Sequence, residues 1–175
     1  MNSGRGWSTW NPDGSFASLY VGDSLAHGIT PVFTYYMLLQ SKPGGDDEAQ
    51  ADLANLRNPA TMAAYWADVR LLFRRARGPK LVVLHVEPDL WGYVQQAARG
   101  DDAGTVPAIV PDGLPQNAGG FAQEFVLLRN ELAPNVVLAY HMSGRGTKHD
   151  IVYEDPPDAT VRAYAARSAA FYRSL

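Results

Sequence analysis

Two hydrophobic periods alternate along this chain, and that alternation is what most limits its fold. Leu81-Val82-Val83-Leu84-His85-Val86 and Val136-Val137-Leu138-Ala139-Tyr140-His141 are short apolar runs of strand composition. Pro31-Val32-Phe33-Thr34-Tyr35-Tyr36-Met37 is a third. Before the middle run, Asn58-Pro59 gives a cap and first-turn signal. Met62, Tyr65, Trp66, Val69, Leu72, Phe73 and Ala76 then recur at three and four until Gly78-Pro79. After it, a helix-like segment runs from Leu90 to Ala98. Phe121, Phe125, Leu128 and Leu132 mark another helix, stopped by Pro134. Strands separated by amphipathic helices predict an α/β fold: a parallel β-sheet with right-handed βαβ crossovers and strands near 31–36, 81–86 and 136–141. Strands so uniformly apolar predict cover on both faces.

The flanking segments complete one α/β domain over 1–175, a length that can bury a sizeable core. Residues 1–15 read as a loop, with Trp7 and Trp10 embedded. Ala17, Tyr20, Val21, Ser24, Leu25 and Gly28 form a stripe that predicts a helix from Phe16 to His27. The polar stretch 41–57 reads as a long connection, 99–119 as a loop rich in Gly, Pro and Asp, and 142–157 as a loop leading to a last helix capped by Asp158.

Several function classes receive no support. A formal net charge of -3 gives no reason to expect nucleic acid binding. The basic cluster Arg70, Arg74, Arg75, Arg77 and Lys80 lies on the polar side of a helix and reads as a solvated face. No apolar run approaches the ~20 residues of a membrane span. The absence of cysteine excludes disulfides and thiolate metal sites, and the four histidines lack metal-ligand spacing, so neither metal nor cofactor is expected. The N-terminus, Met1 to Gly6, lacks the apolar core of a signal peptide.

Polar and aromatic residues collect where the strands end, which is where parallel α/β folds place ligands and catalysis. The tips read Tyr35-Tyr36, His85-x-Glu87-x-Asp89 and Tyr140-His141. Strict alternation puts Leu81, Val83, His85 and Glu87 on one face and Val82, Leu84 and Val86 on the other. Two carboxylates and an imidazole at one tip can supply the acid and base of a hydrolase. The plainer alternative is that Pro88-Asp89 only starts a helix, with Asp89 capping the amides of Trp91 or Gly92 and Glu87 solvated at a strand end.

Residues Val82 to Asp89, with the Glu-Pro-Asp tip, resemble the catalytic strand of a (β/α)-barrel glycoside hydrolase of the family 6 cellulase type. Asn135 to Tyr140 resembles that family's next strand, and Pro31 to Tyr36 an earlier strand ending in tyrosine. The resemblance implies hydrolysis of a β-linked polysaccharide, with Asp89 as general acid and Glu87 as its modulator. It also implies Tyr35, Tyr36, His85, Trp91, Tyr140 and His141 as carbohydrate-binding residues, with Trp91 stacking on a sugar ring, and a secreted bacterial parent. Two departures stand out. Where the family has an Asp supporting the acid, Tyr36 is followed by Met37-Leu38-Leu39-Gln40, and the downstream strands have no counterpart. A full barrel takes ~250 residues and about eight strands, so the expectation is a partial or truncated TIM-like barrel. Its open sheet edges predict a homo-oligomer. A barrel segment that binds carbohydrate without catalysis is the non-enzymatic alternative.

A second resemblance competes. Leu19 to Gly28, with Gly22-Asp23-Ser24-Leu25, is similar to the first block of the Gly-Asp-Ser-Leu esterases, which would make Ser24 a nucleophile after a strand at 18–22. The Asp-x-x-His block of that family is absent, since residues 146–149 read Gly-Thr-Lys-His. Only six residues separate Ser24 from Pro31, too few for a parallel crossover.

Overall fold

The strands form where the apolar runs predict them, and their register explains which side chains end up inside. A computed structural model describes residues 7–175; the first six residues of the expected N-terminal loop, and with them the signal-peptide reading, lie outside the described residues. After a 3-10 turn at Trp7–Thr9 come α1 (Ser15–Ala26), β1 (Val32–Tyr35), α2 (Glu48–Leu56), α3 (Pro59–Ala76) and β2 (Val82–Val86). The chain continues through α4 (Leu90–Ala97), a 3-10 turn at Ala103–Thr105, α5 (Ala118–Leu132), β3 (Val136–Tyr140), α6 (Ile151–Glu154) and α7 (Asp158–Arg173). The three strands make one parallel sheet in the order β1-β2-β3.

Register aligns Tyr35 with Val86 and Val86 with Tyr140, while Thr34, His85 and Ala139 form the neighbouring row. The first row joins Val82, Leu84 and Val136 on the face packed beneath α3 and α5. There Tyr65 and Trp66 of α3 meet Phe121 and Phe125 of α5, with Trp66 and Phe125 centroids 5.2 Å apart. Each fully buried side chain of this kind contributes on the order of 2–3 kcal/mol through area removed from water. The opposite face is not covered as the apolar strands predicted. Val32 and Val137 are half exposed, Thr34 is exposed, and Val83, His85 and Ala139 are partly so.

Local signals set the helix ends. The Asn58 side chain accepts from the Thr61 amide at the start of α3, with Pro59 in the first turn. Asn117 accepts from Gly120 at the start of α5, where the chain passes so close that a Cβ on Gly120 would lie 1.9 Å from the Pro115 carbonyl oxygen. Asn135 donates to the carbonyls of Ala76 and Lys80 and accepts from the Gly78 amide, locking the turn before β2 to the entrance of β3.

Four details differ from the sequence reading. The connection 41–57 contains α2, whose buried stripe of Ala51, Asp52, Asn55 and Leu56 is half polar and so hides its helical period. The 142–157 loop holds the short α6, and Pro157 rather than Asp158 occupies the cap position of α7. The basic face of α3 is partly tied down: Arg70 pairs with Glu124 at 2.9 Å, and Arg75 donates to the Asp13 carbonyl at 2.7 Å. At the β1 edge, the Tyr20 hydroxyl accepts from the Val32 amide and donates to its carbonyl, occupying a place where another strand would pair.

Candidate functional site

The residues that follow β1 and β2, the Glu48–Asp52 face of α2, the first turn of α4 and Tyr65 of α3 bring four carboxyl groups and three tyrosines together. Asp89 sits at the cap position of α4 in helical backbone geometry, and its carboxylate makes no capping bond. Its backbone carbonyl accepts from the amides of Gly92 and Tyr93 instead. The exposed side chain is thereby left free, and its Oδ2 accepts from the Tyr36 hydroxyl at 3.2 Å.

That hydroxyl also bonds Glu48 Oε1 from the start of α2. One phenolic proton cannot be given to two carboxylates at once. The arrangement is satisfied when Glu48 keeps its own proton and donates to the Tyr36 oxygen, while Tyr36 donates to Asp89. Partial burial pushes Glu48 up from the ordinary carboxyl range, and the Asp89 charge adds to this. Tyr93, one turn into α4, is pushed up to about 12 by desolvation and by the same carboxylates.

Behind this pair stand two fully buried acids. Asp52, one helical turn after Glu48, is pushed up to about 7 by burial, then by Glu48 and Asp89, and neither of its carboxyl oxygens has a hydrogen-bond partner. Glu87 is pushed up to about 8 by burial, with Asp52 adding to the shift. Its Oε1 accepts from the amides of Met37 and Leu38 at 2.9 and 3.2 Å and from the Tyr65 hydroxyl at 2.9 Å. Oε2 is buried without a partner. A protonated Glu87 fits both facts: one oxygen serves as a carbonyl acceptor and the other carries the proton.

Glu87 is thus neither solvated nor on the His85 face. Its backbone takes φ 39°, a left-handed conformation that a residue with a Cβ adopts at a cost of about 1–3 kcal/mol. This breaks the strand alternation one residue past β2 and turns the side chain into the core, where it ties the chain leaving β1 to α3. The buried hydrogen bonds hold the strained turn that places Asp89.

The other expected site residues divide by face. Tyr36, His85 and His141 reach the accessible side, with the two imidazole centroids 5.8 Å apart. Trp91 does not: it is fully buried, donates its indole N–H to the Val86 carbonyl at 2.8 Å and packs edge-on against Tyr140, so it offers no surface to a sugar. Tyr35 is only 3 % exposed and its ring packs against Tyr65. Tyr140 turns toward α5 and donates to the Ala122 carbonyl. Tyr35 and Tyr140 fall on the helix-packed row because the register places them there, and Trp91 packs beneath the same row from α4.

Ser24 lies within α1, buried, and the expected strand at 18–22 is part of the same helix, so the strand-to-nucleophile turn of the esterase block is not formed. The residues that sequence reasoning missed are Glu48, Asp52 and Tyr93. Their legible signal is the i, i+4 spacing of Glu48 and Asp52 after the Asp47 cap, which lines one helix face with acid. Among the described residues no group of three or more His, Asp or Glu is placed to hold a metal ion. The chain matches no family model, no curated protein and no solved structure.

Proposed function

We propose that this chain is a segment of a (β/α) barrel that hydrolyses a β-linked polysaccharide, with Asp89 as the general acid. The observation that carries the reading is the Asp89 carboxylate. It stands at a strand tip, is released from helix capping, and is linked through the Tyr36 hydroxyl to a second carboxyl with a raised pKa. In this reading Glu48 gives its proton to the Tyr36 oxygen as Tyr36 passes its own to Asp89, and Asp89 delivers that proton to the glycosidic oxygen. Glu48 is the proton partner of the acid, through the hydroxyl they share. Glu87 acts as a positioning residue, while His85 and His141 meet substrate from the open face.

Asp89→Asn is expected to lower turnover of soluble β-glucans by about 100-fold or more, as general acid catalysis requires. Ser24→Ala, remote from these carboxyls, should leave it unchanged. Undiminished glucan hydrolysis in Asp89→Asn would remove Asp89 from the mechanism. Ester hydrolysis abolished by Ser24→Ala would transfer the activity to the esterase reading.

Self-association belongs to the same proposal, because among the described residues no strand pairs with the outer edge of β3. Light scattering at micromolar concentration should give a mass above the 19.1 kDa of one chain. A clean monomer would refute this part.

A further inference from the structure

The carboxyl cluster carries negative charge that the protein itself does not balance. Glu48 and Asp52 come from α2, Asp89 from the cap of α4, and Glu87 from the turn after β2. The charges that act on Glu48, Asp52, Glu87 and Tyr93 are all those of carboxylates, and each pushes the group it acts on upward. Elsewhere acids are matched: Arg70 pairs with Glu124, Arg145 with Asp150 and Arg167 with Asp101. Lys42 borders a hollow with Glu48, yet among the described residues no ion pair joins a cation to any acid of the cluster.

Asp52 is a second, independent sign of a missing partner. It is fully buried, and neither of its carboxyl oxygens has a hydrogen-bond partner. Glu48 and Asp89 act on it, and it acts on Glu87 and Tyr93, so its carboxyl stands behind the accessible acids. A buried carboxyl with neither donor nor counter-charge is hard to ionise. A cation held by the acids in front of it relieves that penalty through space, without touching Asp52.

The groups within reach of solvent decide which cation fits. Asp89 is exposed, and Tyr36, Glu48 and Tyr93 are partly so. Asp89 commits Oδ2 to the Tyr36 hydroxyl, which leaves one oxygen for a ligand, and Glu48 is bonded by the hydroxyls of Tyr36 and Tyr93. Single acceptor atoms on separate side chains suit the three diverging donors of an ammonium group. The planar fork of a guanidinium calls for both oxygens of one carboxylate. A quaternary ammonium has no N–H to give, and among the described residues no three acids are placed to hold a metal ion. We infer that the cluster binds the primary ammonium group of a small organic amine, with Asp89 and Glu48 in contact with it and Asp52 as the buried charge behind them. This goes beyond the glycosidase reading and does not rest on it, because the charge is the same whether or not Asp89 is catalytic.

The probe is butylammonium chloride, titrated into the full chain by calorimetry at pH 6 and constant ionic strength, in two buffers of different ionisation enthalpy. The titratable groups that face the site are Glu48 and Asp52 from α2, Tyr36 beyond β1, Tyr65 from α3, Glu87 beyond β2, and Asp89 and Tyr93 from α4. A cation favours ionisation of the acids that burial keeps protonated, so binding should release protons and its heat should change with the buffer. Tetramethylammonium should bind at least about tenfold more weakly, and Asp89→Asn should weaken butylammonium about tenfold. Asp52→Asn keeps both contacts and should reduce the proton release. Circular dichroism checks that each variant folds, as expected for a substitution at the exposed Asp89. Equal affinity for the two cations would reduce the site to a diffuse counter-ion cloud and overturn the inference, as would affinity unchanged in Asp89→Asn. Binding with these properties, in a protein that turns over no glucan, would uphold the ammonium site and sink the glycosidase. Glucan turnover without any binding of butylammonium would do the reverse.

Discussion

The Tyr36 hydroxyl lies 3.2 Å from Asp89 Oδ2 across the ends of two neighbouring strands, and the same oxygen bonds Glu48 from α2. Three side chains from three elements thus share protons at one point. Such a unit responds to substitution as a whole.

Tyr36→Phe and Glu48→Gln are each expected to lower kcat on β-glucans about tenfold or more. The double variant should lose no more than the worse single one, because either change cuts the same path. Losses that simply multiply would show that the hydroxyl does not link the two carboxyls.

Asp52 makes stability depend on pH. Burial raises its folded pKa to about 7, above the ordinary carboxyl value of 3.8, so between these values the native state holds a proton that the unfolded state has released. Stability from this group is full below about pH 4 and declines as pH rises toward 7, by an amount of order a few kcal/mol over the whole window. Asp52→Asn should flatten that decline in thermal melts taken from pH 4 to 8. A melting temperature that falls just as steeply in the variant would rule Asp52 out as its source.

Glu87 should separate its two properties, acceptor and acid. Glu87→Gln keeps an oxygen for Met37, Leu38 and Tyr65 and removes the ionisation near pH 8. It should melt close to the unsubstituted protein at pH 5 and above it at pH 9. Glu87→Ala leaves three buried donors unpaired and should cost about 3 kcal/mol or more in denaturant unfolding at pH 7. An alanine variant as stable as the parent would mean that the turn after β1 does not need this carboxyl.

The strands, α3 and α5 were legible because their stripes are apolar and their ends carry asparagine, proline and glycine signals. Period and cap agreed there, and the elements lie within a residue or a few of the expected places. Reading stopped where burial and polarity part company. Asp52 and Asn55 occupy buried positions of α2, so the helix shows no hydrophobic stripe, and the carboxyl cluster it carries was invisible with it. Glu87 was assigned to the wrong face because alternation assumes an extended backbone up to the last residue, and a single φ of 39° cancels that assumption. Trp91, Tyr35 and Tyr140 look like sugar platforms by residue type, but their rings complete the core.

The Tyr20 hydroxyl on the Val32 backbone gives the sheet a direction of growth. One flank is stopped by a phenol, and among the described residues no strand pairs with the far side of β3. Copies that join by strand pairing therefore meet β3 to β3, related by a two-fold axis that makes the junction antiparallel. Such a union uses up the open flank of both partners and leaves a stopped one at each end. If copies pair in this way, assembly through these edges would end at two, as a six-stranded sheet that cannot lengthen into a fibre.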